Sequence, residues 1–175
     1  NNAYCQDNEI SWIDWNLDEQ DNDLLEFTRT IMWLRRDHPV LRRRRFFTGD
    51  AGHGGESELG EIEWLTPAGE SMTDQDWTTW YARAMMVFLN GEAIAEPDER
   101  GQRIVDNSFL VLINASDEDI TFTLPGEGYS PTWKVALDTA PAVDGDSDPV
   151  LAADETVVVE ARSMLFLMDA PDSTA

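Results

Sequence analysis

The chain has 175 residues, enough for one ordinary domain or for one domain plus part of another. With 42% apolar residues and seven tryptophans it can build a core, so disorder is not the default. Asp and Glu number 35 against 12 Lys and Arg, and the net charge of −23 argues against nucleic acid and anionic membranes as partners, since both need clustered cations.

Lys134 is the only lysine, and the acidic excess runs along the whole chain. Adaptation to high salt, which screens carboxylate repulsion over a few ångströms, produces this pattern, and so does a plain acidic surface. Cys5 is the single cysteine and cannot close an internal disulfide, which favours a reducing, cytoplasmic setting. No apolar run approaches the ~20 residues of a membrane-spanning helix. The first residue is not Met and the text opens in mid-loop, so the chain is expected to be the C-terminal piece of a larger protein.

In chain order, residues 1–15 come first. Asn1, Asn2, Gln6, Asp7 and Asn8 offer hydrogen-bond donors and acceptors, while Tyr4, Trp12 and Trp15 offer flat faces. Sugars need that combination, although a polar loop carrying core tryptophans fits the same residues. Asp23 and Glu26 have capping-box spacing and predict a helix start there. Leu24, Phe27, Ile31 and Leu34 then fall on one face, with Arg35 and Arg36 near the end where cations suit the macrodipole, and Pro39 stops the helix. Leu25, Met32 and Trp33 widen the apolar stripe beyond what a surface helix needs, so it is expected to pack on something substantial or to self-associate.

Arg42 to Arg45 follow a capped helix and sit among carboxylates, which points to ion pairing rather than nucleic-acid contact. Glycine and charge dominate residues 48–60, a linker. Afterwards the period changes: Ile62 and Trp64 alternate with Glu61 and Glu63, and β-rich runs follow at MMVFL, FLVLI, ITFTL, WKVAL, TVVVE and MLFLM. Roughly seven short strands separated by turns predict a small antiparallel β-sandwich. Asn90-Gly91 carries the strongest two-residue hairpin signal.

Several motifs are weighed and set aside. Asp144, Asp146, Asp148 and Glu155 have calcium-loop spacing, but Pro149 stands where the loop needs glycine, so a solvated acidic loop is expected and no metal is assigned. His38 and His53 have no zinc-ligand spacing with Cys5. Asn114-Ala115-Ser116 fits a glycosylation acceptor but carries little weight as a three-residue pattern. Trp64, Trp77, Trp80 and Trp133 are candidates for an exposed glycan platform; their spacing favours core positions. No nucleophile elbow, zinc-protease helix motif or phosphate-binding loop is present, and no cofactor is implied.

The strings NNAYCQDNEISWIDW, LLEFTRTIMWLRRDHPVLRRRRFF, IEWLTPAGESMTDQDW, VFLNGEAI and DERGQRIVDNSFLVLINA together resemble the C-terminal portion of glycogen debranching enzymes, the isoamylase-type members of the α-amylase superfamily. The resemblance implies a mainly β fold: a C-terminal antiparallel β-sandwich preceded by the last loop and helix of a truncated (β/α)8 barrel. Residues 1–47 would be the barrel's terminal loop and eighth helix, 48–60 a linker, and 61–175 the sandwich. The implied reaction is retaining hydrolysis of α-1,6 branch linkages in glycogen or limit dextrin, through an Asp nucleophile and a Glu acid/base. No position here matches those motifs, so catalytic residues are expected upstream and the chain by itself is expected to be inert. Tyr4, Gln6, Asp7 and Asn8 match the family's YCQDN run on the active-site face, where they would line the branched-glucan cleft or hold its loop in shape. The implied partners are branched α-glucan and the upstream barrel.

Overall fold

The structure, a computed structural model, describes residues 5–47, 59–79, 82–140 and 149–170. It divides into two compact units, Asn1–Asp37 and His38–Ala175.

The first unit is built around helix α1, Glu19–Asp37. It starts earlier than Asp23, because the Asp18 carboxylate accepts from the Asp21 N–H (2.9 Å) and serves the free donors of the first turn. Glu26, expected to close a capping box, instead pairs with Arg29 one turn on. The basic end is as expected, with the Arg36 guanidinium stacked 3.6 Å over the Trp33 ring. None of the helix's residues is buried: Leu24, Met32 and Trp33 are 64%, 66% and 54% exposed.

In the second unit Pro39 ends the α-helical path and opens a 3-10 helix, Pro39–Arg42. Carboxylates hold the strap of residues 38–47 at both ends. Asp106 accepts from Val40 N–H (3.0 Å) and lies 2.8 Å from His38 Nδ1. Glu96 Oε1 accepts from the N–H groups of Arg44 and Arg45 (3.0 and 2.7 Å). Arg43 Nη2 donates to Glu61 Oε1 at 2.7 Å, with both side chains about 5% exposed or less. Within the basic run Arg43 makes the ion pairs that its setting among carboxylates predicts, while Arg44 and Arg45 meet Glu96 through their backbone N–H groups.

The sandwich consists of β1 (Ile62–Leu65), α2 (Asp74–Thr78), β2 (Ala84–Leu89), β3 (Phe109–Asn114), β4 (Ile120–Thr123), β5 (Thr132–Asp138), β6 (Val150–Ala152), β7 (Thr156–Val159) and β8 (Ser163–Asp169). Six strands form one antiparallel sheet in the order β1-β2-β3-β8-β5-β6, and β4 pairs with β7 in a second. Every β-rich run singled out in the sequence is a strand; β6 was not foreseen. The N-terminus of α2 is set by Thr73, whose N–H and hydroxyl both donate to Asp76 Oδ2 (2.8 and 2.7 Å), and these bonds hold the Asp76 carboxyl below the usual range.

The core lies between the sheets. Register places Leu65, Met86, Leu112 and Leu165 in one inward row, with Phe88, Leu110 and Leu167 in the next. Phe122, Leu124 and Val159 close over them, and Trp133 is wholly buried. Asn114 is also buried; its amide donates to the carbonyls of Glu118, Val159 and Glu160, so it is a structural cross-link and not an exposed glycosylation acceptor.

The hairpin expected at Asn90-Gly91 does not form. Residues 90–108 make a long connection between β2 and β3, and Asn90, with negative φ, caps a short 3-10 helix, Gly91–Ala93. Gly91 is needed for a different reason: a Cβ there would sit 2.2 Å from the Asp106 carbonyl oxygen and 2.3 Å from that of Asn107.

Candidate functional site

Residues 5–15 fold back into a compact turn with Asn8 at its hub. The Asn8 carbonyl accepts from Ser11 N–H (2.9 Å) and Trp12 N–H (3.1 Å), while its side-chain Oδ1 accepts from Ile10 N–H (3.1 Å). The Ser11 hydroxyl donates to the Gln6 carbonyl. Asp7 Oδ1 accepts from the Trp12 indole at 2.7 Å, a charge-assisted bond that sets the ring's direction. Cys5 enters the turn in the left-handed region, at φ +58.

Of the four expected site residues, Tyr4 lies outside the described residues. Gln6, Asp7 and Asn8 are brought together in this turn, Gln6 through its carbonyl and the other two through side chains engaged with the turn's own backbone and indole. What the loop offers outward is aromatic: Trp12 is 64% exposed and Trp15 72%.

The tryptophans of the sandwich fall differently from their expected core roles. Among the described ones only Trp133 is buried, while Trp64 and Trp77 are exposed and meet edge to face, with centroids 5.3 Å apart and ring planes at 74°. Such a pair is not a flat platform. Trp64 is exposed because β1 is an edge strand and the ring stands on the outer face of its sheet. Trp80 lies outside the described residues.

Sequence reasoning missed a cleft of about 270 Å³ lined from the ends of β2 and β8, the start of β3 and the turn before β5. Its lining includes Asn90, Glu92, Ser108, Gly128, Tyr129 and Asp169. Asp169 accepts from Asn107 Nδ2 (2.7 Å); burial raises its carboxyl above the usual range, and the charges of Asp106 and Glu92 push the same way. Burial also raises the Tyr129 phenol, against a hydrogen bond from Ser71. These residues come from four separate stretches of chain, and no spacing connects them.

Among the described residues no group of three or more His, Cys, Asp or Glu side chains could hold a metal ion. Asp144, Asp146 and Asp148 lie outside the described residues, and the Glu155 carboxylate accepts from Ala152 N–H (2.7 Å) across the turn between β6 and β7. No helix among them is long and apolar enough to cross a membrane.

Residues 61–169 match the family model for the isoamylase C-terminal domain. The chain belongs to that family. It is 50% identical over 167 residues, or 95% of its length, to the glycogen operon protein GlgX homologue of Mycobacterium tuberculosis, and 32% identical over 136 residues to the glycogen debranching enzyme of Dickeya chrysanthemi. It spans 23% of the first of these relatives and 16% of the second. Its fold is similar to part of a pullulanase from Anoxybacillus sp. LM18-11 solved with maltotetraose, at a TM-score of 0.51 and 12% identity, over 90% of this chain and 17% of that one. The mainly β sandwich and the glycogen-debranching family reading of the sequence agree with these matches.

Proposed function

We propose that this isoamylase-family domain acts as the C-terminal part of a glycogen debranching enzyme that hydrolyses α-1,6 branch linkages of glycogen or limit dextrin with retention. The 50% identity to a GlgX homologue along 95% of the chain carries this reading. The nucleophile and the acid/base belong to the part of the parent not represented here, and the chain alone is inert. Residues 1–47 contribute the last loop and helix of a barrel, 48–60 a linker, and 61–175 the sandwich. The parent works in the cytoplasm.

In this reading the turn at residues 5–15 lies beside the branched-glucan cleft. Asp7 and Asn8 act mainly by fixing the loop, since their side chains hold the Trp12 indole and Ile10 N–H. Tyr4 and Gln6 belong to the same wall. The sandwich acts as a cover for the upstream barrel. Its larger sheet supports that role, because its outer face is apolar and leaves Trp64 exposed and Met85, Ile113, Met164 and Phe166 only partly buried, although Val87 and Val111 between them are already covered. A sheet apolar on both faces fits between two layers. Left without a barrel, the apolar stripe of α1 drives self-association.

The test is a reducing-end assay on branched glucan, with this chain alone and with a protein extended upstream through a whole barrel. Activity only in the extended protein, releasing linear chains, is the expected result. Activity in the chain alone overturns it.

A further inference from the structure

We propose that the cleft formed by Ser108, Asp169, Glu92 and Tyr129 binds a neutral sugar, one glucose unit of an α-glucan chain, at a site separate from the loop at residues 5–15. Only the choice of glucose as the sugar rests on the debranching reading; the class of ligand follows from the lining.

No Lys or Arg lines the cleft, so nothing there would compensate an anion. A cation finds two carboxylates, Glu92 and Asp169, short of the donor set that a metal needs. A neutral polyhydroxyl compound matches what is present. Ser108 is 5% exposed, and its Oγ accepts from Gly91 N–H at 3.1 Å, so the hydroxyl hydrogen remains a donor at the cleft floor. Asp169 accepts from the Asn107 amide and from the backbone of Ser108, leaving about two of its roughly four acceptor positions for vicinal hydroxyls. Glu92 adds a second carboxylate at the rim, where it is exposed.

Tyr129 supplies the wall. Its ring lines the cleft, half-buried and perpendicular to Phe88 with centroids 5.0 Å apart, an aromatic surface of the kind against which sugar C–H groups pack. At about 270 Å³ the space is just below the range that holds drug-sized ligands, which suits one ring of a chain whose remaining units lie outside.

Gly128 makes the test clean. It lines the cleft, and a Cβ added there meets nothing within 4 Å, so Gly128→Leu adds bulk at the cleft without a backbone clash. The experiment is an amide-shift NMR titration of this chain with maltotriose, with calcium chloride as the second arm, on the wild type, Gly128→Leu and Asp169→Asn. Asp169→Asn keeps the oxygen that accepts from Asn107 and removes the charge. The expected result is saturable shifts around Ser108 and Tyr129 with maltotriose, weakened about tenfold in Asp169→Asn, as loss of a charge-assisted hydrogen bond implies, and abolished in Gly128→Leu. Absence of shifts with maltotriose overturns the proposal, as do shifts with calcium alone, or maltotriose binding that survives Gly128→Leu. The titration needs no barrel, so an inactive extended protein would sink the debranching reading and leave this result standing.

Discussion

The two sheets of the sandwich differ in their outer faces. In the two-stranded sheet, Phe122 and Val159 point inward while Thr121, Thr156 and Val158 face solvent, Val158 at 59% exposure. The six-stranded sheet is apolar on both sides. Behind the inward row of Leu65, Met86, Leu112 and Leu165 stands the outward row of Trp64, Val87, Val111 and Phe166. Part of that outer face is covered within the sandwich unit itself, where the His38 ring meets Phe109 edge-on at 4.8 Å and Phe109 is wholly buried. One sheet is finished by water, and the other carries apolar side chains on both faces, as sheets between two layers do.

The largest effect is expected where the strap is pinned to the sandwich. Arg43→Leu breaks the buried Arg43–Glu61 ion pair and should cost about 3–5 kcal/mol in urea unfolding. Glu61→Gln in the same background should return part of that loss, because one buried charge of the broken pair is gone. Next come the inner and outer faces. Leu112→Ala should cost about 2–5 kcal/mol through the cavity it opens, against less than about 0.5 kcal/mol for Val158→Ala on the solvated face of the small sheet. Similar costs at the two positions would erase the distinction between the sheets.

The smallest expected effect is a dependence on pH. The folded-state pKa of Asp169 lies above the unfolded value, so between the two the folded chain binds more protons and stability from this group rises as pH falls through that window. Above the window the buried charge is a cost. Asp169→Asn should therefore raise the thermal midpoint slightly at neutral pH and flatten the profile on its acid side, read by thermal melts across the carboxylate range.

Much of this was legible in the residues, and one legible signal went unread. The strand runs were plain from β-branched and aromatic clustering. The difference between the sheets is partly written there: MMVFL, FLVLI and MLFLM are unbroken apolar runs and ITFT alternates, whereas the valines of TVVV alternate only in their burial. The role of Asn90-Gly91 was not legible, because the glycine answers to the carbonyls of Asp106 and Asn107, far along the chain. The start of α1 shifted from Asp23 because Asp18 supplied an equally good acceptor earlier. At the candidate site, the composition of residues 1–15 suited either sugar contact or a polar loop, and it could not show that Asp7 would be tied to Trp12. The cleft left no local trace, since its residues meet only when β2, β3, β8 and the turn before β5 come together.

The most direct measurement of the central claim is a matched pair of outer-face substitutions, Trp64→Glu and Val158→Glu, each placed in this chain and in the protein extended through a barrel. Thermal midpoint and debranching activity are read for all of them. Trp64→Glu should be mild in the chain alone and should lower both stability and activity in the extended protein, while Val158→Glu leaves both unchanged. Equal tolerance of the two substitutions in the extended protein would contradict the account, because the six-stranded sheet would then have no layer to cover.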